Sequence, residues 1–294
     1  MKYIILFLFI FKSSLSISQC KTVNMYAQLS KAKSDSEKLN IYIEMNKSGL
    51  DNVFPSIIEY AFKLKKNKIG NKYLKKGIKK GLTIDGDYTN YIPGEILEKV
   101  KKKYSKWRSV FYSTYDEEMY NKVLYLVNTD QYLAKEDFYG GRKQQYPIRN
   151  KVFQNNLTQL RYYLIAKNKG LLPHSNQIGN LTTAISLMFM HRTCNDSIDE
   201  VNFNFFEPRL KEEICSGKTY SPYTYLQLVD NMQSIMEKGV PQVYGHFRNY
   251  KTKKIHLLKY PAKVDSLRAS IGLPSLREYA KEKGFLLPDN YIEQ

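Results

Sequence analysis

The stretch DEEMYNKVLYLVNTDQYLAK, residues 116–135, decides the class of fold. Met119, Val123, Leu126 and Val127 recur at steps of three and four, the spacing of one helical stripe and not of a strand face. Asp130 falls in phase with that stripe, so its carboxylate points inward or toward a groove, where it needs a partner. The same period continues outward. Residues 148–168 repeat it through Val152, Phe153, Leu157, Leu160 and Leu164, and Gly170 ends the run. In NLTTAISLMFMHRT, residues 180–193, every side from Ala184 to Met190 is nearly apolar, which marks a central helix with His191 on its inner part. Residues 201–216 and 222–238 supply two further helices.

Toward the amino terminus, Ile57, Ile58, Ala61, Phe62 and Leu64 follow Pro55 at helical spacing, whereas Leu39, Ile41, Ile43 and Met45 form a short ambiguous run. GNKYLKKGIKKG, residues 70–81, reads as the second arm of a helix pair. In TIDGDYTNYIPGE, Asp85 and Asp87 read as turn formers rather than metal ligands.

The period changes once. In GVPQVYGHFRNYKTKKIHLLKY, residues 239–260, Val243, Tyr244 and Phe247 precede NYKTKK, and Ile255, Leu257 and Leu258 follow it, the pattern of a two-stranded hairpin. Two short helices around SIGLPSL close the chain, with Gly272 as a C-cap and Pro274 as a restart. The expected fold is therefore mainly α: helix pairs of alpha-hairpin type over residues 19–115, then a helical domain with a small β-hairpin over 116–294.

Residues 1–18 read as a secretory signal peptide. Lys2 gives a positive start, IILFLFIF (4–11) an apolar core, and Ser16-Ile17-Ser18 small residues before a cut at Gln19. The apolar run is far below the ~20 residues that cross a bilayer, and no later window is long enough. The expected address is periplasmic or secreted. Lipidation at Cys20 is the rival, disfavoured by Gln19 before the cysteine. Three cysteines do not make a disulfide framework, and Cys194 and Cys215, at the ends of consecutive antiparallel helices with the second of about 14 residues, would lie roughly 20 Å apart. They read as buried thiols.

The net charge is +18, and residues 61–110 alone hold fourteen Lys and one Arg against four acids. Such a field attracts polyanions, which for an exported protein means lipid headgroups, acidic glycans or extracellular DNA. Lys75, Lys76, Lys79 and Lys80 are the candidate basic patch; the plainer reading of KLKKNKIGNKYLKKGIKK is a solvated helix face. Sparse aromatics, nearly absent Arg and no recognition-module signature argue against nucleic acid.

The chain has no G-x-x-x-x-G-K-[ST], no G-x-G-x-x-G after a strand, no H-E-x-x-H, no C-x-x-C pair and no G-x-S-x-G. Nucleotide, dinucleotide, zinc-protease and serine-hydrolase chemistries lose their support, and no cofactor is expected.

From about residue 120 to 283 the order of motifs resembles a bacterial family of unknown function: TDQ at 129–131, Gly179, MFMH ending at His191, GVPQVYG at 239–245 and VDSLRASIGLPSLREY at 264–279. Two positions depart from that pattern. His246 and Phe247 stand where the family commonly has Thr-Gln, and Asp230 is followed by Asn231 where Asp-Arg is expected. The resemblance implies no established activity, so the residues must argue for themselves.

One reading gathers Asp130, Gln131, His191, Gln242 and Tyr244 into a pocket, with His191 as general acid or base, Asp130 orienting it, and Gln242 with Tyr244 holding a ligand. Strand alternation would bring His246 to the same face. The bland alternative is a satisfied core network of the same groups. Metal binding by His191, His246 and Asp130 has no spacing support. The sequence thus points to a binding or interaction module of the cell envelope, its partner an anionic component or another protein, with a hydrolase-like enzyme as the alternative.

Overall fold

Ser34 opens one of the best-capped helices of the chain. Its hydroxyl accepts from the Glu37 N–H while the Glu37 carboxylate accepts from the Ser34 N–H, so two of the orphan donors of a helix start are satisfied together. In the computed structural model, residues 20–140, 146–191, 194, 196–217, 219–233, 241–249 and 251–293 are described. The leader expected at 1–18, together with Gly239 and Val240 of the expected hairpin, lies outside them.

The first unit comprises α1 (Lys21–Lys31), α2 (Asp35–Lys47), α3 (Phe54–Lys63), α4 (Asn67–Lys79) and α5 (Gly94–Tyr112), with a 3-10 turn at Asp87–Tyr91. Asp87 starts that turn and Asp85 accepts from the Thr83 hydroxyl, so both act in the loop. Pro55 sits in the first turn of α3, where a missing N–H costs nothing. Leu39, Met45, Ile57, Ile58, Leu74 and Ile78 are fully buried in one core shared by α2, α3 and α4. At about 1.5–3 kcal/mol per buried aliphatic side chain, that core is what holds a Lys-rich segment folded.

The second unit comprises α6 (Glu117–Gly140), α7 (Tyr146–Lys167), α8 (Ser175–Ile178), α9 (Leu181–Met188), α10 (Ser197–Ser216) and α11 (Pro222–Gln233). Val123 and Leu126 from α6, Leu157 and Leu160 from α7, Ile185 from α9 and Phe206 from α10 meet in its core. A third, small core joins Ile255, Leu258, Val264, Leu276 and Ala280 through α12 (Val264–Ser270) and α13 (Leu276–Lys283). The fold is thus mainly helical, and among the described residues no helix is long and apolar enough to cross a membrane.

Three expectations are corrected. The β-hairpin does not form: among the described residues there is no strand, only isolated bridges at Gln242–Leu258, Arg248–Ile255 and Lys254–Leu286. Side chains have taken the donors a ladder would need. Asp230 accepts the N–H groups of Val243, Tyr244 and His246, Gln242 accepts that of Phe247, and Gly245 turns the chain at φ +79°.

The central helix is also shorter than its apolar run, ending at Met188. Beyond it the chain tightens into bonds from Met190 to Leu187 and from His191 to Met188, and the Asn231 side chain takes the Phe189 and His191 carbonyls at 2.9 and 2.6 Å. His191 therefore follows the helix instead of lying within it.

The cysteines are corrected as well. Cys20 and Cys215 form a disulfide with Cα atoms 4.8 Å apart, and Cys194 is an exposed free thiol. The pairing rests on α1 packing along α10, a contact between segments 195 residues apart that local spacing does not encode. Gly272, at φ +79°, admits that approach on the other side, since a Cβ there would run into the Val23 carbonyl.

Candidate functional site

Asp130 lies on the buried stripe of α6, 1% exposed, and its Oδ2 is 2.6 Å from His191 Nδ1. Gln131 Nε2 donates to the same oxygen at 2.9 Å. The other carboxylate oxygen, Oδ1, is buried with no hydrogen-bond partner among the described residues. Phe153 of α7 stacks on the imidazole with ring centroids 4.5 Å apart, and the Arg149 guanidinium lies 5.6 Å over the Phe153 ring. His191 keeps 21% of its side chain exposed. The His191–Asp130 contact is a close ion-pair approach without hydrogen-bond geometry, since His191 Nδ1 is buried and makes no hydrogen bond among the described residues; a general base would need that bond to hold its ring.

Gln242, Tyr244 and His246 sit in a separate cluster built on Asp230. Fully buried, Asp230 accepts from Val243 N at 2.8 Å, Tyr244 N at 2.7 Å and His246 N at 2.9 Å. Burial pushes its carboxyl up to about 6, against the opposing pull of those three N–H groups and of Arg268. Arg268 closes the turn from the far side, donating to the Tyr244 carbonyl at 2.8 Å and the Pro274 carbonyl at 2.7 Å.

Gln242 has its amide fully engaged, donating to the Phe247 and His256 carbonyls and accepting from Phe247 N. The Tyr244 ring meets Tyr225 edge-on at 6.2 Å, and burial, with Asp230 second, pushes its hydroxyl up to about 12. His246 stands edge-on to Phe247, and burial followed by Arg248 and Arg268 lowers its imidazole to about 4.

The structure thus brings Asp130, Gln131 and His191 together and places Gln242, Tyr244 and His246 in the turn. The two groups are joined through one dipeptide, since Asp230 holds the turn and Asn231 holds the His191 carbonyl. Among the described residues no group of three His, Cys, Asp or Glu side chains could take a metal ion. Asp230 and Asn231 stood out in the sequence only as a departure from the Asp-Arg pattern, and Arg268 not in its own right, yet these three hold the turn and the His191 carbonyl. Arg268 had a legible signal, a lone Arg in the apolar phase of VDSLRASIGLPSLREY with Leu273 and Leu276 on either side of the proline.

The basic segment divides in two. Lys80 pairs with Asp51 at 2.8 Å, and Lys76 donates to Asn46 Oδ1 at 2.6 Å, its ammonium lowered by burial and then by Lys80. Lys79 is half-buried, and Lys75 lies 5.8 Å over the Trp107 ring of α5. The exposed Lys72 on α4 and Lys99, Lys102, Lys103 and Lys106 on α5 form no ion pair among the described residues, and the two helices pack side by side.

Among the described residues, clefts of about 730, 350 and 250 Å³ lie along the first unit where it meets the second and the C-terminal helices, and His191, Asp130, Gln242 and Tyr244 line none of these three. No family model matches the chain, and no curated protein or solved structure matches it either.

Proposed function

We propose that the chain is an exported helical binding module of the bacterial cell envelope, in which the α4–α5 face engages anionic partners such as lipid headgroups or acidic glycans. The observation that carries this reading is the set of exposed lysines on two adjoining helices, Lys72, Lys75, Lys99, Lys102 and Lys103, none of them in a salt bridge among the described residues. Each lysine near an anionic surface contributes about 1 kcal/mol, so five on one face give binding that a single charge could not.

Export is supported by the Cys20–Cys215 bond, because such pairs persist in oxidising compartments. A sulfur in that bond has no valence left for a lipid thioether, which favours a periplasmic or secreted protein over a lipoprotein. Co-sedimentation with phosphatidylglycerol vesicles tests the reading. Wild type should bind, and the variant with those five lysines changed to Gln should bind at least tenfold more weakly. Equal binding by both proteins, or none by wild type, contradicts it.

The hydrolase reading keeps one observation in its favour, the 2.6 Å His191–Asp130 contact with an orphaned carboxylate oxygen beside it. It loses Gln242 as a donor, since both amide N–H groups are spent on the Phe247 and His256 carbonyls. Turnover of p-nitrophenyl esters, phosphates or glycosides that is abolished by His191→Gln would favour the enzyme. No turnover across that panel favours the module.

A further inference from the structure

The three clefts share their walls. The largest is bordered by five tyrosines, Tyr26, Tyr42, Tyr60, Tyr223 and Tyr279, contributed by α1, α2, α3, α11 and α13. It shares Ser221 and Tyr223 with the smallest, which in turn shares Thr182 and Thr183 with the third. Asn52 borders all three, and its side-chain oxygen is buried with no hydrogen-bond partner among the described residues. The clefts therefore run on from one another past a single amide.

We infer that this run of clefts is a binding groove for a linear glycan, a site separate from the basic face proposed above. Three features of the lining select that class. Tyrosine faces carry negative π density, which suits the weakly positive C–H face of a pyranose ring, and Tyr223, which borders two of the clefts, keeps its ring exposed. Between the rings the walls carry neutral donors and acceptors, Ser221, Thr182, Thr183 and Asn52, which match sugar hydroxyls.

The charged lining does not suit an anion: Lys283 pairs with Glu282 at 2.8 Å, the third cleft sets Asp51, Glu59, Asp85 and Asp87 against Lys80, which pairs with Asp51 at 2.8 Å, and the smallest cleft has no Lys, Arg, Asp, Glu or His in its lining. A phosphorylated ligand would lack its cationic clamp. Burial pushes the Tyr42 hydroxyl up to about 12, so it remains a neutral donor throughout the physiological range. Pockets for single small ligands fill roughly 300–1,000 Å³, and the largest cleft alone lies within that range. With the adjoining clefts there is room for several linked sugars.

The test is calorimetric titration of the full mature chain with three probes: peptide-free peptidoglycan glycan strands, chitohexaose and maltohexaose. At least one should bind saturably, and its disaccharide should bind at least tenfold more weakly, since it spans one cleft only. Tyr223→Ala removes an exposed ring, and Thr183→Trp fills an exposed wall where the two smaller clefts meet; neither touches a core, and each should weaken binding at least tenfold with unchanged circular dichroism. Neutralising the α4–α5 lysines should leave this affinity within twofold. Failure of all three probes to bind, binding that survives both groove substitutions, or equal affinity for disaccharide and hexasaccharide would overturn the assignment.

Discussion

Cys20 and Cys215 are bonded across a sequence separation of 195 residues, fastening the first helix of the described chain to the end of α10. A loop of that length gives about 5 kcal/mol in the chain-entropy limit, with measured effects for native bridges of about 2–5 kcal/mol. Reduction, or the Cys20→Ser and Cys215→Ser pair, is expected to lower the denaturant midpoint accordingly. Peptide mapping without reductant should recover Cys20 with Cys215 and leave Cys194 as the one alkylated thiol. A Cys194-containing disulfide would contradict the arrangement.

Asp230 organises the turn that carries Gln242, Tyr244 and His246. Asp230→Ala strands three backbone N–H groups in a buried site and is expected to destabilise the protein by about 3–5 kcal/mol. Asp230→Asn keeps an oxygen for Val243 and Tyr244 and should cost clearly less. Equal losses from the two variants in urea titrations would show that the Asp230 carboxylate does not hold the three N–H donors as described.

His246 gives a pH signature. Its imidazole, lowered to about 4 chiefly by burial, is neutral at physiological pH. A base with a depressed folded value stabilises the protein above its unfolded value near 6.5, and that stability is lost as pH falls from there through about 4. Imidazole carbon-bound proton resonances, assigned with His246→Gln, should give its midpoint well below 5. A midpoint near 6.5 contradicts the burial.

Gly272→Ala places a methyl group against the Val23 carbonyl at a backbone angle of +79°. Backbone cannot yield as a flexible side chain can, so the expected loss is on the order of 2–4 kcal/mol. Gly284→Ala has a similar positive angle, +66°, but open space around it, and should lose less. Thermal unfolding of the pair separates the effect of packing from that of the angle.

Much of the helical frame was legible because it rests on short-range spacing. Met119, Val123, Leu126 and Val127 are buried as their period requires, and Asp130 follows them inward. Proline and glycine marked the start of α3 and the end of α7 for local reasons. What failed depends on contacts distant in sequence. Strand-like residues at 243–258 could not reveal that Asp230 would capture their donors. The apolar run through Met190 could not reveal that Asn231 would draw the carbonyls of Phe189 and His191 out of helical bonding. Of the four lysines singled out, Lys76 and Lys80 look alike in sequence to Lys75, yet Asn46 and Asp51 tie them to the first unit.

The salt dependence of binding to phosphatidylglycerol vesicles tests the central claim, attachment through an uncompensated basic face, most directly. Exposed charges are screened beyond about 10 Å at 0.1 M salt and about 3 Å at 1 M. Binding that is strong at low salt, falls steeply toward 1 M, and is flattened by the five Lys→Gln substitutions on α4 and α5 is the predicted result. Binding that is indifferent to salt, or equally steep in the substituted protein, would contradict the account.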